Sequence, residues 1–135
     1  MHNRGDWLKP VLTRIESREI IETAMHRIAT LDEDYYYGGP TRFFGTFYSR
    51  LPGVPLDRAK SNFDQSLVDS PNYLGTRVLR ARYYYTKLGN RDLFEEDLNY
   101  VINADPSALP DAMPENLYEQ EKAKELLKHT SILFE

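Results

Sequence analysis

The side chains of this 135-residue chain that could carry chemistry are three histidines, 21 acidic residues and a clustered set of arginines and tyrosines; cysteine is absent. His2, His26 and His129 share no ligand spacing with one another or with nearby carboxylates, and a metal site needs convergent ligands. The run Asp32-Glu33-Asp34 reads as a helix-end turn whose carboxylates splay into solvent rather than as a cation site. Gly38-Gly39-Pro40 has neither the spacing nor the lysine of a phosphate-cradling loop. The serines lack the strand-to-helix elbow that exposes a nucleophile. These residues predict no catalytic site, no metal and no cofactor.

The arginines and aromatics are more informative. Six of the ten tyrosines stand in two triplets, Tyr35–Tyr37 and Tyr83–Tyr85. Arg42 and Phe43 follow the first triplet, and Arg77, Arg80 and Arg82 lead into or enter the second. Arg80 and Tyr84 are four apart and share one face of a helix. A concave groove lined by Tyr36, Tyr37, Arg42, Phe43, Tyr48, Arg80 and Tyr84 could accept an anionic or amphipathic ligand, or a partner, through charge-assisted hydrogen bonds over apolar walls. Taken singly, each residue has a more ordinary reading. Tyrosines fill space between helices with their hydroxyls toward water, and arginines lay their stems over them. On the groove reading, replacing Arg80 by Met spares stability and removes binding.

Helical periodicity positions these residues. From Ser17 to Leu31 apolar residues recur at three- and four-residue steps. Pro40 suits the first turn of a second helix, which carries Phe43, Phe44, Phe47 and Tyr48 and stops at Pro52-Gly53. A third helix begins near Pro55–Asp57 and ends at Ser70-Pro71. A fourth, with Asn72 as its N-cap, runs to Leu88 and ends at Gly89-Asn90. A fifth covers Arg91 to Ala104, an extended loop holds Asp105 to Pro114, and a sixth spans Glu115 to His129. The expected class is all-α, six to seven helices in one domain over 1–135. The elements Phe44-Gly45-x2-Tyr48, Ala59-x3-Phe63 and Pro71 follow the tetratricopeptide pattern, and Ala81-x2-Tyr84, Phe94-x3-Leu98 and Pro106 repeat it one period of about 34 residues later. These are degenerate repeats of antiparallel helical hairpins, with Thr41 and Arg77 where the usual tryptophan stands.

Charge and composition narrow the function. Seventeen basic against 21 acidic residues, with no block of like charge, argues against a nucleic-acid binder. No apolar run is long enough to span a bilayer, and Met1 to Pro10 contains no signal-peptide core. A helical array has two open ends, and the apolar tail Ile132-Leu133-Phe134 stands where a polar cap would serve, so self-association into a homo-oligomer is expected.

The segment Asp32-Glu-Asp-Tyr-Tyr-Tyr-Gly-Gly-Pro-Thr-Arg-Phe-Phe-Gly45 resembles the T component of tripartite ATP-independent periplasmic (TRAP) transporters, the TatT family. So do Leu56-Asp-Arg-Ala-Lys-Ser-Asn-Phe63, Asn72-Tyr-Leu-Gly-Thr-Arg-Val-Leu-Arg-Ala-Arg-Tyr-Tyr84 and stretches on to Ala123-Lys-Glu-Leu-Leu127. The resemblance spans about residues 15 to 128 and is closest to the C-terminal half of typical members. It implies a non-enzymatic accessory component that contacts a periplasmic solute-binding protein, a small organic ligand, or both. By the resemblance the location is periplasmic; this chain shows no signal or lipobox, which leaves a cytoplasmic alternative. The competing function is a generic tetratricopeptide-like adaptor for protein assembly.

Overall fold

The computed structural model describes Glu19, Glu22, Thr23, His26 and residues 36–135, and no strand occurs among them. The all-α expectation is met. Glu19, Glu22, Thr23 and His26 are helical, consistent with the first expected helix; its apolar face, the acidic run 32–34 and Trp7–Leu12 lie outside the described residues. Helix α1 is Gly39–Arg50, α2 is Leu56–Asp69, α4 is Arg91–Asn103, α5 is Met113–Lys128 and α6 is Thr130–Leu133. Between α2 and α4 runs one helical rod, α3 (75–88), in three parts: α-helical Gly75–Leu79, π-helical Arg80–Tyr85 and α-helical Thr86–Leu88.

Each element ends where local chemistry stops it. Gly38, in the left-handed conformation at φ 74°, precedes α1, and Pro40 sits in its first turn, where a missing N–H costs nothing. Gly89 closes α3 at φ 75°, and the Asn90 N–H donates to Tyr85 O at 3.0 Å, the wrapped C-cap that glycine permits. The Asn90 side chain then accepts from the Leu93 N–H and starts α4. One boundary departs from expectation. Asn72 is not the N-cap of α3; Leu74 holds that position, and its N–H donates to Oδ1 of Asn116 on α5 at 2.9 Å. A cap supplied from a distant helix leaves no mark in the local sequence. The 105–114 segment, expected to be extended, folds into two 3-10 turns, Pro106–Ala108 and Pro110–Ala112, each begun by proline.

The core is continuous through the array. Phe44 and Tyr48 of α1, Ala59 and Phe63 of α2, Val78, Ala81 and Tyr84 of α3, and Phe94, Leu98 and Val101 of α4 all belong to it. Small residues such as Ala59 and Ala81 stand among the large ones and let the helices approach. The C-terminal tail does not stand free. Leu133 and Phe134 pack against the core, with the Phe134 ring 5.0 Å from that of Phe94, and Ile132 alone of the three is exposed.

The tightest approach is between α1 and α2. A Cβ on Gly45 would stand 2.8 Å from three ring atoms of the fully buried Phe63, closer than packed carbons come. Gly45→Ala is therefore expected to cost about 1–3 kcal/mol, and Gly45→Leu to cost more, because the added volume has nowhere to go. Urea unfolding of the two variants checks this; an unchanged midpoint for Gly45→Leu would contradict the packing.

Candidate functional site

The seven candidate residues fall into three neighbourhoods rather than one groove. The first surrounds Tyr36 and Tyr37, which enter α1 through a backbone run with φ of 48°, 57° and 74° at Tyr36, Tyr37 and Gly38. Two bulky residues in the left-handed region are uncommon and cost energy unless their surroundings hold them. Arg42 is the holder. Its Nη1 donates to Tyr37 O at 2.9 Å and its Nη2 to Tyr36 O at 3.1 Å. Its guanidinium lies 4.2 Å over the ring of Tyr73. The Gly38 carbonyl accepts from the Ser66 hydroxyl at 3.0 Å, tying the turn to α2. Burial lowers the Arg42 pKa from its ordinary value, while Tyr73, Tyr36 and Glu119 work the other way. Tyr36, Tyr37 and Tyr73 form an aromatic trio at centroid distances of 5.4–5.9 Å, and Tyr36 is half exposed, at 51 %.

Glu115 and Glu119 of α5 each keep one buried carboxylate oxygen with no hydrogen-bond partner among the described residues. The Glu119 carboxyl lies beside the α3 terminus, 3.5 Å from where a Cβ on Gly75 would stand, while the Tyr73 ring would be nearer still at 3.1 Å. Burial pushes the Glu119 pKa above the ordinary carboxylate range, against the pull of Lys122 and Arg42.

The second neighbourhood holds Phe43 and Tyr48. Along α1, Phe43 stacks on Phe47 at 5.6 Å and Phe44 on Tyr48 at 5.7 Å, the four-residue spacing of one helix face. The Tyr48 hydroxyl donates to Glu22 Oε1 at 2.8 Å, and His26 stacks on Phe44 at 4.4 Å with its Nε2 3.6 Å from the same carboxylate. Burial raises the Tyr48 pKa, and the Glu22 bond and charge add to that. A cleft of about 250 Å³ opens here, with Phe44, Tyr48 and His26 on one side and Asp57 and Arg58 of α2 on the other.

The third neighbourhood contains Arg80 and Tyr84. Arg80 forks onto Asp97 of α4, with Nε to Oδ2 at 2.7 Å and Nη2 to Oδ1 at 2.6 Å. Arg77 joins the same carboxylate at 3.1 Å and lies 3.8 Å over the Tyr100 ring. Burial pulls the Arg80 pKa down, but the bonds and charge of Asp97 outweigh it and leave it above its ordinary value. The π-helical winding alters which tyrosine sits under Arg80. A wider turn brings i+5 neighbours together, so Tyr85 lies 5.2 Å from the guanidinium, while Tyr84 turns to Phe63 at 6.3 Å.

Arg42 and Arg80 thus spend their main donors on carbonyls and a carboxylate of the protein, in separate places. The sequence reading missed their partners, Tyr73 and Asp97. Asp97 had a signal: it falls among Phe94, Leu98 and Val101 on the inward stripe of α4, where an unpaired charge would be untenable. Asn116 and Gln120 had none. Asn116, fully buried, accepts from the Leu74 N–H and donates to Asn72 O at 3.0 Å, while the Gln120 amide donates to Val101 O and Ala104 O at 3.0 and 2.9 Å.

The described residues form a helical fold with aromatic and arginine clusters, and a small cleft of mixed polarity opens beside Tyr48. The chain matches the family model described as TRAP transporter T-component over residues 10–134, and it belongs to that family. The family places it as an accessory component associated with a TRAP transport system. No curated protein gives a match to the chain. No helix among the described residues is long and apolar enough to cross a membrane.

Two outcomes follow from the site geometry. Removing one partner of a buried ion pair costs about 3–5 kcal/mol, so Arg80→Met is expected to destabilise by the lower part of that range, since Arg77 stays on Asp97; the expectation of unchanged stability is reversed. Arg82→Met, whose guanidinium lies over the half-buried Tyr83 ring, should cost well under 1 kcal/mol by chemical denaturation. For Glu119, a raised carboxyl pKa means the folded state binds the proton more tightly than the unfolded state. That contribution is fully present below the ordinary value of 4.5 and is lost as pH rises through the folded value. Glu119→Gln is therefore expected to melt above the native protein at pH 7 and to lose its advantage below about pH 4, read from melting curves across pH.

Proposed function

We propose that this chain works by binding, as a periplasmic T component that contacts the solute-binding protein of its TRAP system and, in some states, a small organic ligand. The family match over residues 10–134 is the observation that carries this reading. The structure supports it with a contact point of suitable build. Tyr36 projects an aromatic ring from a backbone turn that Arg42 and Ser66 hold rigid, so little ordering is left to be done when a partner docks. Tyrosines of this kind, apolar in body and polar at the tip, are favoured in interface centres. Tyr37 and Arg42 position Tyr36 in this scheme, while Phe43 and Tyr48 on α1 and Arg80 and Tyr84 on α3 belong to the two other neighbourhoods. The helices are read as degenerate tetratricopeptide-like hairpins, with the open array ends as the route to a homo-oligomer.

Calorimetric titration of the chain with the solute-binding protein of its system tests the reading. Tyr36→Ala is expected to weaken binding at least tenfold, about 1.4 kcal/mol, with a nearly unchanged melting midpoint. Tyr118→Ala, which removes another exposed tyrosine from α5, is expected to leave it unaltered. Absence of binding by the native chain would favour the assembly-adaptor alternative, and equal losses in the two variants would remove Tyr36 from the contact.

A further inference from the structure

The cleft beside Tyr48 carries a second reading, independent of the partner contact proposed above. Its floor is the stacked pair Phe44 and Tyr48, both buried. Its rim bears charges of both signs on adjacent residues of α2, Asp57 and Arg58, and neither makes an ion pair among the described residues. Arg58 leans over the Tyr48 ring at 5.6 Å, so its guanidinium faces the cleft while its side chain stays exposed. The third charged group here, Glu22, already accepts from the Tyr48 hydroxyl and faces His26. Asn62 donates its amide to Arg58 O at 2.8 Å, which fixes its side chain and leaves Oδ1 as an acceptor, and Ser61 also lines the cleft.

We propose that this cleft binds a small zwitterion of the free α-amino-acid type. The ligand carboxylate pairs with Arg58, its ammonium with Asp57 and Asn62 Oδ1, and its apolar side chain rests on the Phe44–Tyr48 floor. Three properties select this class. The volume of about 250 Å³ lies below the roughly 300–1,000 Å³ of pockets for drug-sized molecules. A plain anion would meet Asp57 and a plain cation would meet Arg58, so each leaves one rim charge repelled or unpaired. A wholly apolar ligand would strip water from both charges without replacing their bonds. A molecule with one charge of each sign and an apolar body satisfies all of them.

The test uses the full chain alone, without a solute-binding protein, so it fails or succeeds separately from the partner contact. L-leucine, L-phenylalanine and L-valine are titrated calorimetrically, with leucinamide and N-acetyl-leucine as the arms lacking one charge. At least one amino acid is expected to bind saturably below about 1 mM, and both arms to bind at least tenfold more weakly. Asp57→Asn and Arg58→Gln, on exposed side chains, are expected to keep the native melting curve and each to weaken amino-acid binding tenfold or more. Arg58→Gln should not weaken leucinamide further, and Asp57→Asn should not weaken N-acetyl-leucine further, because each arm already lacks the matching charge. N-acetyl-leucine binding as well as leucine would overturn the zwitterion and leave an anion site. No saturable binding up to about 10 mM, or equal binding by native chain and both variants, would overturn the site itself.

Discussion

Burying a polar group is costly unless it is paired, and the pairing of Asp97, Asn116 and Gln120 fixes how the helices of this short chain dock. Asp97 is almost wholly buried on the inward face of α4, and only the two arginines of α3 make it tolerable there. The same need is met for backbone ends by α5. Asn116 serves the start of α3 and the turn before it, while Gln120 serves the last carbonyls of α4. Helix ends normally look to local caps or water for those bonds. Here the last long helix supplies them, so α5 docks in one register, with polar residues fixing what its apolar face alone would leave free to slide.

Satisfaction of this kind separates holding from binding among the arginines. Arg42 and Arg80 both look like ligand donors by type, yet each is committed to the fold: one to the carbonyls of a left-handed turn, the other to a buried carboxylate. Their effect on a partner is indirect, through the position of Tyr36 and of α3. Arg58 and Asp57 are the contrasting case. They are exposed, without ion-pair partners among the described residues, and flank an aromatic floor, which is the condition in which a charge remains available to something outside the chain.

The close approach of α1 to α2 connects these features. Because Gly45 offers no Cβ, the Phe63 ring reaches the α1 backbone, and α2 can then present Ser66 to the Gly38 carbonyl and Asp57 and Arg58 to the cleft.

How much was legible beforehand divides along a physical line. Helices, their class and most of their ends follow from short-range chemistry: three- and four-residue apolar spacing, glycine at Gly38 and Gly89, the Asn90 cap and proline in first turns. Gly45, Ala59, Phe63, Ala81 and Phe94 were readable as packing residues because small and large side chains stand at helical spacing on the inward faces. Four features were decided only in three dimensions. Over its six residues the π-helical stretch still buries Ala81, Tyr84 and Tyr85 at three- and four-residue steps, so periodicity cannot reveal it, yet its wider turn places Tyr85 rather than Tyr84 beneath Arg80. The start of α3 depends on Asn116, 42 positions away along the chain. The apolar tail looked like an exposed end and instead covers Phe94. Which arginines are spent and which are free follows from where Asp97 and two backbone carbonyls come to lie. The sequence by itself determines what each residue prefers over a few neighbours, whereas the pairing of buried polar groups depends on distances between segments, and those exist only once the helices have packed.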